Sequence, residues 1–151
     1  MNEQKNGSAA HGRILIVDDD PNTLEILRRW LNREGYSTVS ADNGPACLKA
    51  LGTEAVDVIV LDVMMPGMDS LQVCERLRAS DAWRGIPVVL LTAKDDLETR
   101  SRGMMLGVSE YLTKPVNKLE LFARLQAQLH SRELERRMEA TAATVEGLEK
   151  K

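Results

Sequence analysis

Residues 14–20 read Ile-Leu-Ile-Val-Asp-Asp-Asp, an apolar run without polar alternation that ends in three carboxylates. Such a run is typical of a parallel strand that is buried on both faces of a sheet. Three more apolar runs end in polar residues, namely Asp62, Thr92 and Lys114. In an open parallel sheet, ligands bind in the crevice beyond the carboxyl ends of the strands. The pattern therefore predicts one pocket that contains several carboxylates, a hydroxyl and an ammonium.

Strands and helices alternate along the rest of the chain. We predict strands at Arg13–Val17, Thr38–Ala41, Val56–Leu61, Pro87–Leu91 and Glu110–Leu112. The predicted helices begin at Asp20-Pro21, at Gly44-Pro45, just before Leu71, at about Asp95 and at Asn117. Asp20 is a predicted N-cap, and Asn117 has capping-box spacing with Glu120. Five strands alternating with five helices predict an α/β fold with a doubly wound five-stranded parallel sheet.

The composition excludes several classes of protein. The chain has 151 residues, 43% of them hydrophobic, and a net charge of −3, which argues against direct nucleic-acid binding. No apolar stretch approaches the ~20 residues that a membrane span needs, and residues 1–12 have no apolar core of a secretion signal. Cys47 and Cys74 lie within helical patterns, which favours buried thiols over a disulfide or metal pair. We therefore expect a cytoplasmic protein without a membrane partner.

The residues at the strand ends suit phosphoryl chemistry. Asp18 and Asp19 offer hard oxygen ligands, and Mg²⁺ prefers one or two carboxylates together with water and a phosphate oxygen. Asp62 stands alone at the end of a buried strand, where it can act as a nucleophile that forms an aspartyl phosphate. Lys114 can place a positive charge on the phosphoryl oxygens, and Thr92 can donate a hydrogen bond to them. Such a reaction needs little beyond placement and charge stabilisation.

Taken together, these stretches resemble the receiver domain of bacterial two-component response regulators. The resemblance covers about residues 13–131, and each motif lies at the end of a predicted strand. The motifs are Ile14-Leu15-Ile16-Val17-Asp18-Asp19-Asp20, Leu61-Asp62-Val63-Met64-Met65-Pro66-Gly67-Met68-Asp69, Leu91-Thr92-Ala93 and Tyr111-Leu112-Thr113-Lys114-Pro115. The resemblance implies a flavodoxin-like, CheY-like three-layer sandwich.

The resemblance also implies a metal site and a phosphoacceptor. By analogy with the family, Asp62 accepts the phosphoryl group and also binds Mg²⁺. Asp19 would bind the metal directly and Asp18 through water, while the backbone carbonyl of Met64 would be the third protein ligand. The phosphoryl donor would be a phosphohistidine on a sensor histidine kinase or a phosphotransfer protein. The family is a set of switches rather than conventional enzymes, although a receiver catalyses its own phosphotransfer and autodephosphorylation.

The remaining family roles concern binding of the phosphoryl group and transmission of the signal. Thr92 and Lys114 would bind the phosphoryl group, and the Lys114–Pro115 peptide bond would be cis. Tyr111 would be an aromatic switch that turns inward when Thr92 moves. The signal would then pass through the face of the fourth and fifth helices to a partner protein or an output domain.

One position departs from the family pattern, and two others are ones that vary in function within the family. Ser70 stands where the family usually has glycine, and we expect it to act at the start of the third helix without touching the pocket directly. Met64 and Lys94 lie two residues after Asp62 and Thr92, at positions that tune the lifetime of the phosphate in the family. Methionine has no group that orients an attacking water.

Other interpretations remain for the same residues. Asp18-Asp19 can be a solvated turn, Asp62 can terminate a strand and cap a loop, and Tyr111 can be a static half-buried aromatic. A phosphatase of the haloacid dehalogenase type uses aspartyl-phosphate chemistry too, but it needs a second aspartate two residues after the nucleophile, where this chain has Met64. A pseudo-receiver that binds partners without phosphorylation is a third class.

The C-terminal region has its own pattern. Apolar or small residues recur at alternating four- and three-residue steps, at Leu134, Met138, Thr141, Val145 and Leu148. This spacing predicts a short coiled-coil seam and a dimer through the fifth helix and tail, whereas the alternative is a frayed end. We therefore divide the chain into a disordered leader (1–12), a receiver domain (13–131) and a helical or coiled-coil linker or tail (132–151).

Overall fold

The computed structural model describes residues 11–64, 70–93 and 95–149, with side chains described as far as residue 142. The strands are β1 (Arg13–Val17), β2 (Ser37–Ala41), β3 (Val58–Asp62), β4 (Val88–Thr92) and β5 (Glu110–Thr113). The helices are α1 (Pro21–Arg33), α2 (Gly44–Thr53), α3 (Ser70–Arg78), α4 (Leu97–Met105) and α5 (Lys118–Glu149). The predicted α/β fold class, with its five strands, five helices and extended C-terminal helix, is confirmed.

The five strands form one parallel sheet in the order β2-β1-β3-β4-β5. The chain passes from β1 outward to β2 and then returns to the other side of β1 to form β3, so the strand order reverses between β1 and β3. Val17 pairs with Leu61, and Asp62 pairs with Leu91. The carboxyl ends of β1 and β3 therefore lie side by side at the topological switch point, where ligands bind in this class of sheet.

Helices cover both faces of the sheet and bury its apolar residues. On one face α2 and α3 pack their apolar side chains against the sheet, including Cys47, Leu51 and Leu77. On the other face α1 and α5 contribute Leu27, Leu31, Leu121 and Leu125. Full burial of a leucine side chain stabilises a fold by about 1.5–3 kcal/mol. This double burial explains why β1, β3 and β4 read as continuous apolar runs.

The structure confirms the capping residues and corrects several element bounds. The Asp20 carboxylate accepts hydrogen bonds from the Asn22 amide at 3.0 Å and the Thr23 hydroxyl at 2.9 Å. β3 begins at Val58 rather than Val56, because Asp57 instead exchanges hydrogen bonds with the backbone of Arg13 at the start of β1. β3 also extends one residue further than predicted, so Asp62 is the last residue of the strand.

The cysteines are free thiols, and both are buried, as predicted. Cys47 lies in α2 and Cys74 in α3, within the same apolar cluster. Burial raises the pKa of the Cys47 thiol to about 12. At neutral pH this thiol is therefore protonated and behaves as a small apolar side chain.

The helix α5 continues well past Ser131, the predicted end of the receiver domain, as a single element of 32 residues. Arg132 donates to the backbone carbonyl of Gly85 at 2.7 Å, and the Arg136 guanidinium lies 3.6 Å from the Asp57 carboxylate. These contacts hold the first turns of the tail against the amino ends of the strands. Leu134 and Met138 are 43% and 70% exposed. The predicted seam side chains of Val145 and Leu148 lie outside the described part of the chain, as does most of the predicted leader.

None of the described helices has the length and apolar character needed to cross a membrane.

Candidate functional site

Three carboxylates meet at the switch point of the sheet. Asp18 directly follows β1, and Asp62 ends the neighbouring strand β3, so the pairing of the two strands brings these residues together. Oxygens of Asp18, Asp19 and Asp62 all lie within 4.8 Å of one another. Asp18 and Asp62 are buried, whereas Asp19 is exposed. Like charges at this distance repel each other, and the site therefore favours a bound cation.

Lys114 supplies a positive charge to this carboxylate cluster. Its ammonium lies 2.7 Å from Asp62 Oδ1 and 3.6 Å from Asp18 Oδ2. Burial lowers the pKa of Lys114, but the hydrogen bond and charge of Asp62, together with Asp18, outweigh burial and leave the pKa raised. The Lys114 amide donates to the Thr92 carbonyl at 2.9 Å, and the Lys114–Pro115 bond is cis, as the resemblance implied. The hydrogen bond to Thr92 keeps Lys114 at the carboxyl end of the sheet, where its ammonium contacts Asp62.

Asp18 is a buried carboxylate that a bound cation would stabilise. Burial raises the pKa of its carboxyl, the Asp20 amide opposes this by donating to Oδ1 at 2.9 Å, and the charge of Asp62 raises the pKa further. Within the part of the chain that the structure describes, the buried oxygen Asp18 Oδ2 has no hydrogen-bond partner, and its ion pair with the Lys114 ammonium is long, at 3.6 Å. Buried carboxylates are costly unless they are paired or coordinate a metal. A hard divalent cation such as Mg²⁺ fits this all-oxygen donor set.

Met64 meets the cluster through its backbone. Its amide lies 3.3 Å from Asp62 Oδ1 and donates to it, while its side chain is 66% exposed. The role of its carbonyl as a metal ligand stays a prediction. Residues 65–69 and Lys94, which belong to the predicted motifs, lie outside the described residues.

Thr92 and Tyr111 are joined by a residue that sequence reasoning missed. The fully buried Thr92 hydroxyl donates to the Leu112 carbonyl at 3.5 Å and accepts from Arg100 Nε at 3.3 Å. The guanidinium carbon of Arg100 also lies 4.7 Å from the centroid of the Tyr111 ring, and that ring is 41% exposed. Tyr111 therefore faces outward in this structure, and its inward turn stays a prediction. An arginine in a polar helix gives no sequence signal for such a role.

Ser70 is closer to the site than expected. It is the first residue of α3 and is buried, and its hydroxyl donates to the backbone carbonyl of Asp62. This contact is with the backbone of a pocket residue and not with a carboxylate of the cluster, and it forms because the start of α3 packs against the end of β3. The hydroxyl ties the helix to the backbone of the predicted phosphoacceptor, a bond that glycine at this position cannot make.

The fold and the site together define a class: a doubly wound parallel sheet with an acidic cluster and a lysine at its switch point. The sequence model of the response regulator receiver domain matches residues 14–126. The chain belongs to this family. Its members are signalling switches of two-component systems that typically use a divalent metal, and the cluster of Asp18, Asp19 and Asp62 is consistent with such a metal.

Several characterised proteins are similar to this chain. The response regulator PleD of Caulobacter vibrioides is 43% identical over 115 residues, which cover 76% of this chain and 25% of PleD. The alkaline phosphatase synthesis regulator PhoP of Bacillus subtilis is 39% identical over 122 residues, or 81% of this chain and 50% of PhoP. The chain thus spans a quarter to a half of these relatives. A solved structure of adenylate cyclase from Rhodopirellula baltica superposes with a TM-score of 0.80 at 28% identity, covering 87% of this chain and 97% of that one.

Proposed function

We propose that this chain is a phosphorylation-activated switch that accepts a phosphoryl group on Asp62 from the phosphohistidine of a sensor histidine kinase or phosphotransfer protein. The observation that supports this most directly is the 2.7 Å contact between Lys114 and Asp62, beside two further carboxylates. The end of β3 thus joins a potential nucleophile to a fixed cation and an acidic cluster. Its location would be the cytoplasm, where histidine kinases present their phosphohistidine.

In the proposed transfer, a carboxylate oxygen of Asp62 attacks phosphorus as the bond from phosphorus to the histidine nitrogen breaks. The electron pair of that bond leaves with the imidazole nitrogen. Lys114 neutralises charge on the phosphoryl oxygens, and the Thr92 hydroxyl donates to one of them after it leaves the Leu112 carbonyl. Asp18, Asp19 and Asp62 would hold Mg²⁺, which supplies charge neutralisation when it is bound.

The proposed output surface is the face formed by α4, β5 and α5. Leu97, Met105 and Tyr111 are 67%, 87% and 41% exposed there, so an apolar surface is available to a partner. We propose that phosphorylation changes this face and that a downstream protein, or an output domain that the tail connects, responds to the change. The greater length of the relatives supports an output module, and the net charge of −3 supports a protein rather than nucleic acid as the direct partner.

The direct test is transfer of labelled phosphate from a panel of phosphorylated histidine kinases to this chain. We expect at least one donor to lose its label as the chain becomes labelled. The label on the chain should behave as an acyl phosphate, which is stable in acid and labile in alkali. Retention of the label by every donor, with no gain by the chain, would contradict the proposal.

We expect Met64→Asn to speed autodephosphorylation severalfold. Met64 is exposed and joins the cluster only through its amide, and its thioether cannot orient a water toward the acyl phosphate. An amide side chain at this place can position the attacking water. The rate of phosphate release after removal of the donor measures the effect, with Met104→Asn as the control for an exposed methionine. An unchanged or slower release in Met64→Asn would refute the water-orientation argument.

We expect the full chain to dimerise at high concentration through the seam that contains Leu134 and Met138. Both side chains are exposed on a continuous helix, and Thr141 makes the proposed seam weak. Sedimentation should give a dimer of modest affinity for the full chain and a monomer for a version that ends at Ser131. The double change Leu134→Ala and Met138→Ala should also give a monomer, whereas Arg137→Ala should not.

Two outcomes would contradict the seam. If the full chain is a monomer at all concentrations, with and without a phosphoryl mimic, the tail is not a dimerisation element. If the version that ends at Ser131 dimerises equally well, the interface lies on the receiver domain instead.

A further inference from the structure

Arg100 links the two residues that are expected to move when a receiver is activated. It lies in α4 and directs its guanidinium toward the end of β4 and across to β5. Nε donates to the Thr92 hydroxyl at 3.3 Å, and Nη2 donates to the Ala93 carbonyl at 3.3 Å. The guanidinium carbon lies 4.7 Å from the Tyr111 ring centroid. One side chain thus contacts the hydroxyl, the following backbone and the aromatic ring at once.

We propose that Arg100 is a latch that holds Thr92 and Tyr111 in the arrangement of the unphosphorylated protein. The term "Arg100 latch" denotes the contacts of Arg100 with Thr92, Ala93 and Tyr111. This proposal rests on the proposed function, because it describes how the ligand-free state of the same site is kept distinct from the phosphorylated state.

The contacts of the Thr92 hydroxyl explain how Arg100 restrains Thr92. Its hydroxyl donates toward Leu112 on β5 and accepts from Arg100 on α4, so both hydrogen bonds draw it toward the β5 side. A phosphoryl group on Asp62 needs that hydroxyl as a donor on the side of β3. If Thr92 moves there, its bond to Arg100 lengthens unless α4 follows. Arg100 therefore favours the position that Thr92 has before phosphorylation.

The contact with the ring explains how Arg100 restrains Tyr111. A guanidinium over an aromatic face is attracted by the ring quadrupole, and Tyr111 is held in this contact while its ring is 41% exposed. An inward turn removes the ring from the guanidinium. Since Arg100 bonds to Thr92 at the same time, release of Thr92 weakens the hold on Tyr111. The latch gives a physical reason for the two side chains to move together.

Three variants distinguish the effect of the Arg100 contacts from the effect of the positive charge that Arg100 gives to α4. Arg100→Ala removes all the contacts. Arg100→Lys keeps the charge but cannot donate to Thr92 and Ala93 in the same fork geometry. Arg102→Ala is the matched control, because it removes an exposed arginine from the same helix. Thermal unfolding of each variant shows that it is folded.

The first measurement needs no phosphoryl ligand. The chain has only two tyrosines, so labelling with 3-fluorotyrosine gives two ¹⁹F resonances, and Tyr36→Phe assigns them. The shift of the Tyr111 resonance between H₂O and D₂O reports the exposure of its ring. We expect a smaller solvent shift in Arg100→Ala than in wild type, an intermediate one in Arg100→Lys, and no change in Arg102→Ala.

The second measurement is the affinity for beryllium fluoride, a phosphoryl mimic, with Mg²⁺ present. We expect Arg100→Ala to bind it about three- to tenfold more tightly than wild type. This range fits the hydrogen bond to Thr92 and the cation–π contact with Tyr111, the two contacts that the proposed movement breaks in wild type. Equal affinity and an unchanged Tyr111 resonance in Arg100→Ala would overturn the latch. Weaker binding would overturn it too, since Arg100 would then stabilise the activated state.

The two proposals fail differently. If wild type does not bind beryllium fluoride, the proposed function is contradicted, and the solvent shift of Tyr111 in Arg100→Ala still decides whether Arg100 holds the ring outward. If wild type binds it and the variants behave alike, the function stands and the latch is refuted.

Discussion

We expect Asp62→Asn to abolish uptake of a phosphoryl group by this chain, whereas wild type incubated with acetyl phosphate and Mg²⁺ should gain one such group. The reason is chemical, because an amide cannot act as the nucleophile that forms the acyl phosphate. It is also positional, because Asp62 is the carboxylate 2.7 Å from the Lys114 ammonium. Intact mass spectrometry of the two proteins measures the gain directly, and removal of Mg²⁺ by a chelator should abolish the gain by wild type.

A matched aspartate serves as the control for this result. Asp81→Asn makes the same chemical change at a carboxylate whose side chain is 92% exposed, and it should gain the group as wild type does. An equal gain by Asp62→Asn and wild type would refute the assignment of the phosphoacceptor. Loss of uptake in both variants would show that the change acts through something other than the nucleophile.

Asp19→Ala is expected to weaken Mg²⁺ binding by at least about tenfold, a loss of ~1.4 kcal/mol of binding free energy, whereas Asp20→Ala should leave it nearly unchanged. Asp19 belongs to the carboxylate cluster, and its exposed oxygens are available to a metal. The Asp20 carboxylate is instead occupied by the Asn22 amide and the Thr23 hydroxyl at the start of α1. Isothermal titration calorimetry with Mg²⁺ alone distinguishes the two variants.

The same pair of variants distinguishes an effect on Mg²⁺ affinity from an effect on the free energy of unfolding. Asp20→Ala should lower the free energy of unfolding by ~1 kcal/mol, because it removes the N-cap of α1. Asp19→Ala removes no cap, and it relieves repulsion from the other two carboxylates when no metal is bound. Comparable losses of Mg²⁺ affinity in the two variants would contradict the roles given to both residues.

The sequence was sufficient to predict the fold and the position of the site. Runs such as Ile14–Val17 have no polar alternation, which occurs when both faces of a strand are covered. Once β1 and β3 are parallel and adjacent, their carboxyl ends must meet, and Asp18 and Asp62 come together. Lys114 follows β5 at the same edge of the sheet, and its long side chain reaches Asp62 past β4. The caps at Asp20 and Asn117 are local, since each side chain bonds within its own first turn.

Other features depend on contacts between residues whose proximity no local pattern encodes. Ser70 reaches the Asp62 carbonyl because α3 starts against the end of β3, and Arg132 reaches Gly85 across 47 positions of the chain. Arg100 contacts Thr92 and Tyr111 through one choice among the many rotamers of a long side chain. Periodicity fixes which face of an element is buried, and parallel pairing fixes which strand ends meet. The rotamers and helix placements that connect Arg100, Ser70 and Arg132 to their partners are decided only when the whole chain is packed.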